Sequence, residues 1–214
     1  KGYLAAQLFY KKLHNYIYTA EFPFDYSSYP VVDPGYAFSY QGRISAPING
    51  DGGEIYGIEA AGTLPFETFV SALEGFGVTG GVSYTKSKIQ PDPNTPASDI
   101  PGYSRWVANG TAYFEKGGFS VRGSMRYRST FLGDFSGFGA NRVRRRAKAE
   151  TIIDAQIGYE FQDGSALEGL SVYVQGQNLT NAPFVSQFNV PEPRAVIDYQ
   201  EYGRRFLAGF TYKF

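Results

Sequence analysis

Apolar and polar side chains alternate with a period of two along much of the chain. The clearest stretch is 203–214, where Phe206 and Phe210 fall on one parity and Arg205 and Lys213 on the other. Similar alternation occurs at 106–115, 119–128, 152–161 and 170–177, and less regularly at 4–17, 55–66 and 78–86. Because successive side chains of a strand point to opposite faces, the pattern predicts an all-β chain with about eight strands of roughly 9 to 13 residues.

The predicted connections between these strands alternate between short and long. The short ones lie near 67–76, 115–118 and 162–169, and the long ones near 20–52, 87–104, 131–147 and 181–200. Eleven of the 12 prolines fall in three of the long connections, with Pro65 outside them, so the strands are predicted to be almost free of proline. Strands of this length with short turns at one end and long loops at the other predict an antiparallel up-and-down transmembrane β-barrel.

Composition removes several other classes of protein. The 26 glycines and 12 prolines among 214 residues argue against a mostly helical fold, and the 20 basic and 20 acidic residues give no net field that would attract nucleic acid. The absence of cysteine excludes disulfides, thiolate metal ligands and a cysteine nucleophile. The polar faces mix small, amide, tyrosine and charged residues of both signs, which favours a polar lumen over the outer surface of a soluble sandwich.

Few residues are suited to catalysis or metal binding. His14 is the sole histidine, and its neighbours Leu13 and Asn15 offer no partner for a nucleophile or a metal. We therefore predict no catalytic residue, no metal site and no cofactor. The strand carboxylates are expected to pair in the lumen with arginines of the 119–128 strand, the residues concerned being Glu59, Asp154 and Glu160 with Arg122, Arg126 and Arg128.

The strongest local charge lies in the predicted loop 131–147. Its candidate ligand-binding residues are Arg142, Arg144, Arg145 and Arg146. Two interpretations are open: a solvated loop, or contact with lipopolysaccharide phosphates or an anionic ligand, which guanidinium groups bind bidentately.

Aromatic residues of the first long connection are a second group of candidates. Phe22, Tyr26 and Tyr36 fall in this segment, together with Phe24 and Tyr29. Their rings are suited either to stacking on a sugar or aromatic ligand or to packing between loops.

The C-terminal third carries an ordered set of motifs. The stretch 169–181 ends in Asn178, Leu179, Thr180 and Asn181, and about twenty residues later come Gly203, Arg204 and a closing aromatic strand that ends at Phe214. Together with the glycine-rich segment 48–59, this set resembles the C-terminal end of TonB-dependent outer-membrane receptors. Taken alone, the two asparagines predict a turn, because their side chains bond nearby backbone.

The resemblance implies a fold and partners that the periodicity does not. Such receptors have a barrel of 22 strands, an internal N-terminal plug and a segment that contacts TonB. Residues 1–214 are then the C-terminal part of the barrel, without the plug and the earlier strands. Tyr212 and Phe214 match the signal recognised by the barrel-assembly machinery.

The resemblance also implies a function. The expected activity is energised uptake of a scarce nutrient, either an oligosaccharide or a ferric siderophore, across the outer membrane of a Gram-negative bacterium. The expected partners are outer-membrane lipid and lipopolysaccharide, the TonB complex acting through the plug, the barrel-assembly machinery and a small nutrient ligand. The alternative is a complete eight-stranded barrel that serves as an anchor or adhesin.

Overall fold

The structure, a computed structural model, describes residues 2–29, 35, 39–136, 142–190 and 195–213. Within these ranges the chain forms strands and two single 3₁₀ turns, Phe66–Thr68 and Ser71–Leu73, in accord with the predicted all-β class. The strands are β1 (Tyr3–Asp25), β2 (Gln41–Pro65), β3 (Phe76–Ile89), β4 (Trp106–Lys116), β5 (Phe119–Arg128), β6 (Phe131–Ser136), β7 (Arg142–Ala147), β8 (Glu150–Glu160), β9 (Leu170–Gln177), β10 (Phe184–Phe188), β11 (Val196–Gln200) and β12 (Arg205–Tyr212). No helix in the described part of the chain is long and apolar enough to cross a membrane.

The chain divides into two compact units. The first comprises Lys1–Tyr10, Tyr56–Lys86 and Asp99–Phe214, and the second comprises Lys11–Ile55 and Ser87–Ser98. The first unit contains part of every strand of an eight-stranded sheet with the order β1-β2-β3-β4-β5-β8-β9-β12, and a four-stranded sheet with the order β11-β10-β7-β6. The second unit contains the remaining parts of β1, β2 and β3. All eight predicted strands are therefore present.

The register of the large sheet confirms the predicted faces. Val121 lies opposite Ile157, and Ile157 lies opposite Val174, so these apolar side chains share one face. The apolar face is open, with exposed fractions of 53% for Ile157 and 75% for Phe210. On the opposite face Arg126 reaches Asp154, as the parity requires. An outward apolar face and an inward polar face are the arrangement of a membrane-spanning barrel wall.

Two predicted loops contain strands, and here the prediction was wrong. Segment 131–147 forms the β6–β7 hairpin, in which Phe131 lies opposite Ala147, and segment 181–200 contains the paired strands β10 and β11. The two hairpins join through β7 and β10, where Ser186 lies opposite Ala147. Each of these strands follows or precedes a strand of the large sheet after a gap of only a few residues. The four-stranded sheet therefore continues β5, β8, β9 and β12 beyond a shared interruption.

Hydroxyl side chains satisfy the backbone at this interruption. The Ser129 Oγ accepts a hydrogen bond from the Trp106 amide at 2.9 Å, and the Thr130 Oγ1 accepts one from the Ala149 amide at 3.1 Å. The Ser129 amide in turn donates to the Trp106 carbonyl at 2.8 Å. An unpaired backbone group costs free energy when it is away from water. These hydrogen bonds therefore allow β5 to end and β8 to begin without leaving such groups unpaired.

The first two strands differ in length from the prediction. β1 has 23 residues and β2 has 25, about twice the roughly 9 to 13 expected for a spanning strand. Pro23 and Pro47 lie within them, so the expected exclusion of proline fails at these positions. The second proline, Pro47, lies in the same strand as Gly53. The backbone of Gly53 runs close to that of Ile89, the last residue of β3.

Tyrosine rings on the polar face cover glycines of the neighbouring strand. The Tyr173 ring lies over Gly209, where an added Cβ would come within 2.5 Å of the hydroxyl and 2.7 Å of Cζ. Tyr113 covers Gly77 in the same way, and in both cases the two residues are register partners. A ring laid across a glycine shields an otherwise bare backbone, and substitution of that glycine by alanine displaces the ring.

The turns at the opposite end of the large sheet are short. Gly117 and Gly118 link β4 to β5 with φ values of 59° and 83°, a conformation that glycine adopts without strain. Lys116, at the end of β4, donates a 2.8 Å hydrogen bond to Glu74 in the preceding turn, and this bond lowers the pKa of the Glu74 carboxyl.

We predict that the apolar face tolerates charge far less than the polar face. In the full-length receptor, Ile157→Arg should cost about 2 to 4 kcal/mol, the penalty for a charge that faces lipid at the bilayer midplane. Gln175→Arg, on the polar face of the adjacent strand β9, is the matched control and should change the stability by less than about 1 kcal/mol. Urea unfolding in phospholipid vesicles measures both. Equal losses of stability in the two variants would contradict the assignment of the apolar and polar faces.

Candidate functional site

Ion pairs follow the polar face of the first unit. Arg126 Nη2 lies 3.3 Å from Asp154 Oδ2, Arg128 Nε lies 2.9 Å from Glu150 Oε1, and Arg122 Nε donates to Glu115 Oε1 at 2.8 Å. Of the predicted pairs, only that of Arg126 with Asp154 forms as expected. Glu160 instead lies 3.6 Å from Lys213 Nζ, and Glu59 accepts a hydrogen bond from Gln7. The predicted partners differ because cross-strand neighbours, and not neighbouring stretches of sequence, decide the pairing.

The asparagine motif forms a hydrogen-bonded turn after β9. Asn178 and Asn181 both have φ of 50°, and the Asn181 amide donates to the Asn178 carbonyl at 2.8 Å. The Asn178 side chain donates to the Gly203 carbonyl at 3.0 Å and accepts from the Ala182 amide at 2.9 Å. The Asn178 amide donates to Asp154 Oδ1 at 2.8 Å. Asn178 thereby ties the ends of β8, β9 and β12 together.

The remaining motif residues complete the same turn. The Leu179 amide donates to the Ile153 carbonyl at 2.7 Å, and the Thr180 hydroxyl donates to the Thr151 carbonyl at 2.9 Å. Arg204 Nε donates to the Leu179 carbonyl at 2.9 Å. Gly203 has φ of 76°, which lets β12 begin directly after this turn. All six motif residues therefore lie in one structural element at the interruption of the large sheet.

A cavity of about 440 Å³ lies beside this turn on the polar face. It is lined by Arg126, Glu150, Ile152, Asp154, Gln177, Asn178, Ala182, Phe184, Tyr202, Gly203 and Arg205. Cavities of this size hold small organic ligands. The lining combines charged groups of both signs, amides and aromatic rings, so this cavity is a candidate binding site in the first unit.

The predicted arginine loop is instead the strand β7, and its arginines have different environments. Arg145 Nη1 lies 2.8 Å from Asp198 Oδ2, which also accepts a 2.7 Å hydrogen bond from the fully buried Ser186 hydroxyl. The Arg145 side chain is only 17% exposed. Arg144 Nε lies 3.6 Å from Asp134. Of the two interpretations, the solvated loop does not hold for Arg145, because its acidic partner Asp198 comes from β11.

Two further arginine positions complete this comparison. Arg146 Nε donates a 2.8 Å hydrogen bond to Asn189 Oδ1, while the side chain of Arg142 lies outside the described residues. Arg144 and Arg146 occupy the same parity of β7, opposite that of Arg145. Among the hairpin arginines whose side chains the structure describes, Arg144 and Arg146 lie outside the ion pair with Asp198.

Comparison with known proteins identifies the family. The family model for the β-barrel of TonB-dependent receptor-like proteins matches residues 1–179, most of the 214-residue chain. The chain belongs to the TonB-dependent receptor β-barrel family. No curated protein and no solved structure proved similar to the chain. Members of the family are receptors and transporters of the Gram-negative outer membrane and are not enzymes, and they act with TonB and a ligand.

The aromatic candidates of this receptor barrel lie in the second unit. Tyr26 packs edge-on against Phe24 at 4.7 Å between ring centroids and lies 5.9 Å from the Tyr29 ring. Its hydroxyl donates to the Arg43 carbonyl at 3.2 Å. Phe22 is 41% exposed, and Tyr36 lies outside the described residues. Tyr26 therefore packs within an aromatic cluster, whereas Phe22 keeps a partly open ring.

The residues predicted to form the assembly signal are Tyr212 and Phe214. Tyr212, the last residue of β12, lies opposite Leu170 and is 51% exposed on the apolar face. Phe214 lies outside the described residues.

The predictions of no catalytic residue and no metal site concern His14 and the acidic side chains. His14 is an exposed residue of β1. No group of three or more histidine and acidic side chains suited to a metal ion occurs among the described residues.

Sequence reasoning missed Asp198, Ser186 and the cavity residues Gln177, Tyr202 and Arg205. The segments 184–188 and 196–200 are rich in β-branched and aromatic residues, which is the local signal from which strands β10 and β11 follow. The pairing of Arg145 with Asp198 spans 53 positions. It follows only from the contact between two hairpins, for which the sequence pattern has no direct signal.

We predict that Asp198 stabilises the four-stranded sheet more than Asp134 does. Asp198→Asn leaves the largely buried Arg145 without its counter-charge and should cost about 1 to 3 kcal/mol. Asp134→Asn removes a longer and more exposed pair and should cost less than about 1 kcal/mol. Hydrogen exchange of the β10 and β11 amides in the full-length receptor measures the difference. Equal protection from hydrogen exchange in the two variants would show that the buried ion pair adds no more stability than the exposed one.

We also predict that the two asparagines of the motif are unequal. Glycine accepts their shared φ, so Asn178→Gly and Asn181→Gly remove side-chain contacts without adding backbone strain. Asn178→Gly should cost about 1 to 3 kcal/mol because the Gly203 carbonyl and the Ala182 amide lose their partner. Asn181→Gly loses only a contact with exposed Glu201 and should cost less than about 1 kcal/mol. Thermal unfolding of the full-length receptor tests this order, and a larger effect at Asn181 would contradict it.

Proposed function

We propose that this chain is part of an outer-membrane receptor that takes up a scarce nutrient using energy delivered through TonB. The observation that carries the proposal is the family match over residues 1–179. An open apolar face and a polar face with paired charges support a barrel wall whose lumen is polar. In this role the chain contributes wall, outer hairpins and a candidate binding cavity, and the nutrient is an oligosaccharide or a ferric siderophore.

We further propose that the 214 residues are the C-terminal part of a larger barrel of 22 strands that holds a plug. Strand pairing supports this. Among the described residues, the hydrogen-bonded order runs from β1 to β12, and β12 pairs with β9 alone. A complete small barrel of eight strands would pair its first and last strands. Further strands of the same receptor would pair with β1 and β12, because exposed sheet edges promote aggregation.

The remaining partners follow from position in this barrel. The apolar face contacts outer-membrane lipid, and the exposed aromatic residue Tyr212, with Phe214, forms the signal for the barrel-assembly machinery. Arg144 and Arg146 stay candidates for lipopolysaccharide phosphates or an anionic ligand, whereas the ion pair with Asp198 occupies Arg145. TonB acts through the plug, which is outside this chain.

Loss of uptake in two separate mutants tests the proposed function. Growth is measured on a panel of oligosaccharides and ferric siderophores for the wild type, a strain lacking the full-length receptor and a strain lacking TonB. We expect one nutrient whose uptake both deletions abolish and whose uptake a protonophore also stops. Re-expression of the full-length receptor is the control. Unchanged uptake of every nutrient in the receptor mutant, together with loss of surface attachment, would instead favour the anchor or adhesin.

A further inference from the structure

Two polar side chains in the cavity have no partner within the described residues. Gln177 and Arg205 are register partners at the ends of β9 and β12, and both line the cavity of about 440 Å³. No hydrogen bond or ion pair of either side chain occurs in the part of the chain that the structure describes. Arg205 is exposed and Gln177 is half-buried, so both groups are accessible from the cavity.

The other polar groups of the cavity are already occupied. The Asn178 side chain bonds Gly203 and Ala182, and the two oxygens of Asp154 bond the Asn178 amide and Arg126. Glu150 faces Arg128. Among the charged residues that line the cavity, Arg205 is the one with no ion-pair partner within the described residues.

An aromatic ring completes the set of available groups. Tyr202 directly precedes the glycine that starts the turn into β12, and it is 75% exposed. Its hydroxyl donates to Gln200, which leaves the ring face open. The cavity therefore offers one guanidinium, one primary amide and one open ring.

We propose that this cavity binds a sugar-acid unit of an oligosaccharide nutrient. A guanidinium binds a carboxylate bidentately, and a primary amide both donates to and accepts from adjacent hydroxyl groups. An aromatic face packs against the C–H face of a sugar ring. A neutral sugar would leave Arg205 unused, and a simple carboxylate would leave Gln177 and Tyr202 unused. The inference rests on the proposed uptake function and names the substrate class of its binding site.

Calorimetry on the purified full-length receptor tests the inference with three probes. D-galacturonate carries both carboxylate and hydroxyls, D-galactose only the hydroxyls, and acetate only the carboxylate. We expect saturable binding of galacturonate, at least tenfold weaker binding of galactose and acetate, and weaker galacturonate binding at high salt. Binding of galactose as tight as that of galacturonate would overturn the role of Arg205.

Variants of the cavity residues test whether galacturonate binds in the cavity. Arg205→Gln should weaken galacturonate binding at least tenfold and leave galactose binding unchanged, while Arg205→Lys should restore part of the affinity. Gln177→Ala should weaken both sugars. The control is Arg122→Gln, because Arg122 lies on the same polar face outside this cavity. If Arg205→Gln fails to fold, Gln177→Ala and Arg205→Lys retain the test. Wild-type affinity in both of these variants would overturn the proposal.

Two outcomes separate this inference from the proposed function. TonB-dependent uptake of a different nutrient by a receptor that does not bind galacturonate would overturn the sugar-acid site alone. Binding of galacturonate without any TonB-dependent uptake would overturn the transport function alone. Unchanged binding with a lowered melting temperature in Arg205→Gln would show that Arg205 pairs with another part of the receptor, which also overturns the site.

Discussion

Continuous antiparallel hydrogen bonding from β3 to β12 decides which face of the large sheet each side chain occupies. The register runs without a break through the pairs β3–β4, β4–β5, β5–β8, β8–β9 and β9–β12. A shift of one residue in the pairing of a strand would exchange the two faces of that strand. In β5 and β8, such a shift would place Arg126 in lipid and Ile157 in the lumen. Because a charge in the hydrocarbon region is costly, the membrane itself selects this register. The ion pairs and the cavity follow from it.

The interruption of the large sheet is the second feature on which the candidate site depends. Four strands end where the four-stranded sheet begins, and side chains take over the hydrogen bonds that the ladder gives up. Asn178 is central because its backbone and side chain together contact three segments. The cavity lies at this point, where backbone that no longer runs as a regular strand presents Gln177, Tyr202 and Arg205 on the polar face.

Side-chain alternation was sufficient to predict most of the fold. The eight strands of the large sheet and the faces of Ile157, Phe210 and Arg126 follow from a period of two, because a half-buried strand has no other stable pattern. The strands β6, β7, β10 and β11 were missed because clustered arginines and prolines in 131–147 and 181–200 indicate loops locally. Pairing between two hairpins overrides that local preference.

The candidate site was less predictable than the fold. The asparagine turn was expected from its residue types, since asparagine tolerates positive φ and bonds nearby backbone. Arg145 was misjudged because its partner Asp198 is remote in sequence. Gln177 and Arg205 have no distinctive local pattern. Their proposed role depends on lying opposite each other and on having no other partner among the described residues, and both properties exist only after the strands have paired.

The shared interruption has a consequence for how such receptors diversify. Ser129, Thr130 and Asn178 supply hydrogen bonds at the end of the large sheet, and their partners Trp106, Ala149 and Gly203 lie outside β6, β7, β10 and β11. We therefore expect the register of the large sheet to tolerate changes of length and sequence in these four strands, so that the surface they form could vary while the wall stays unchanged.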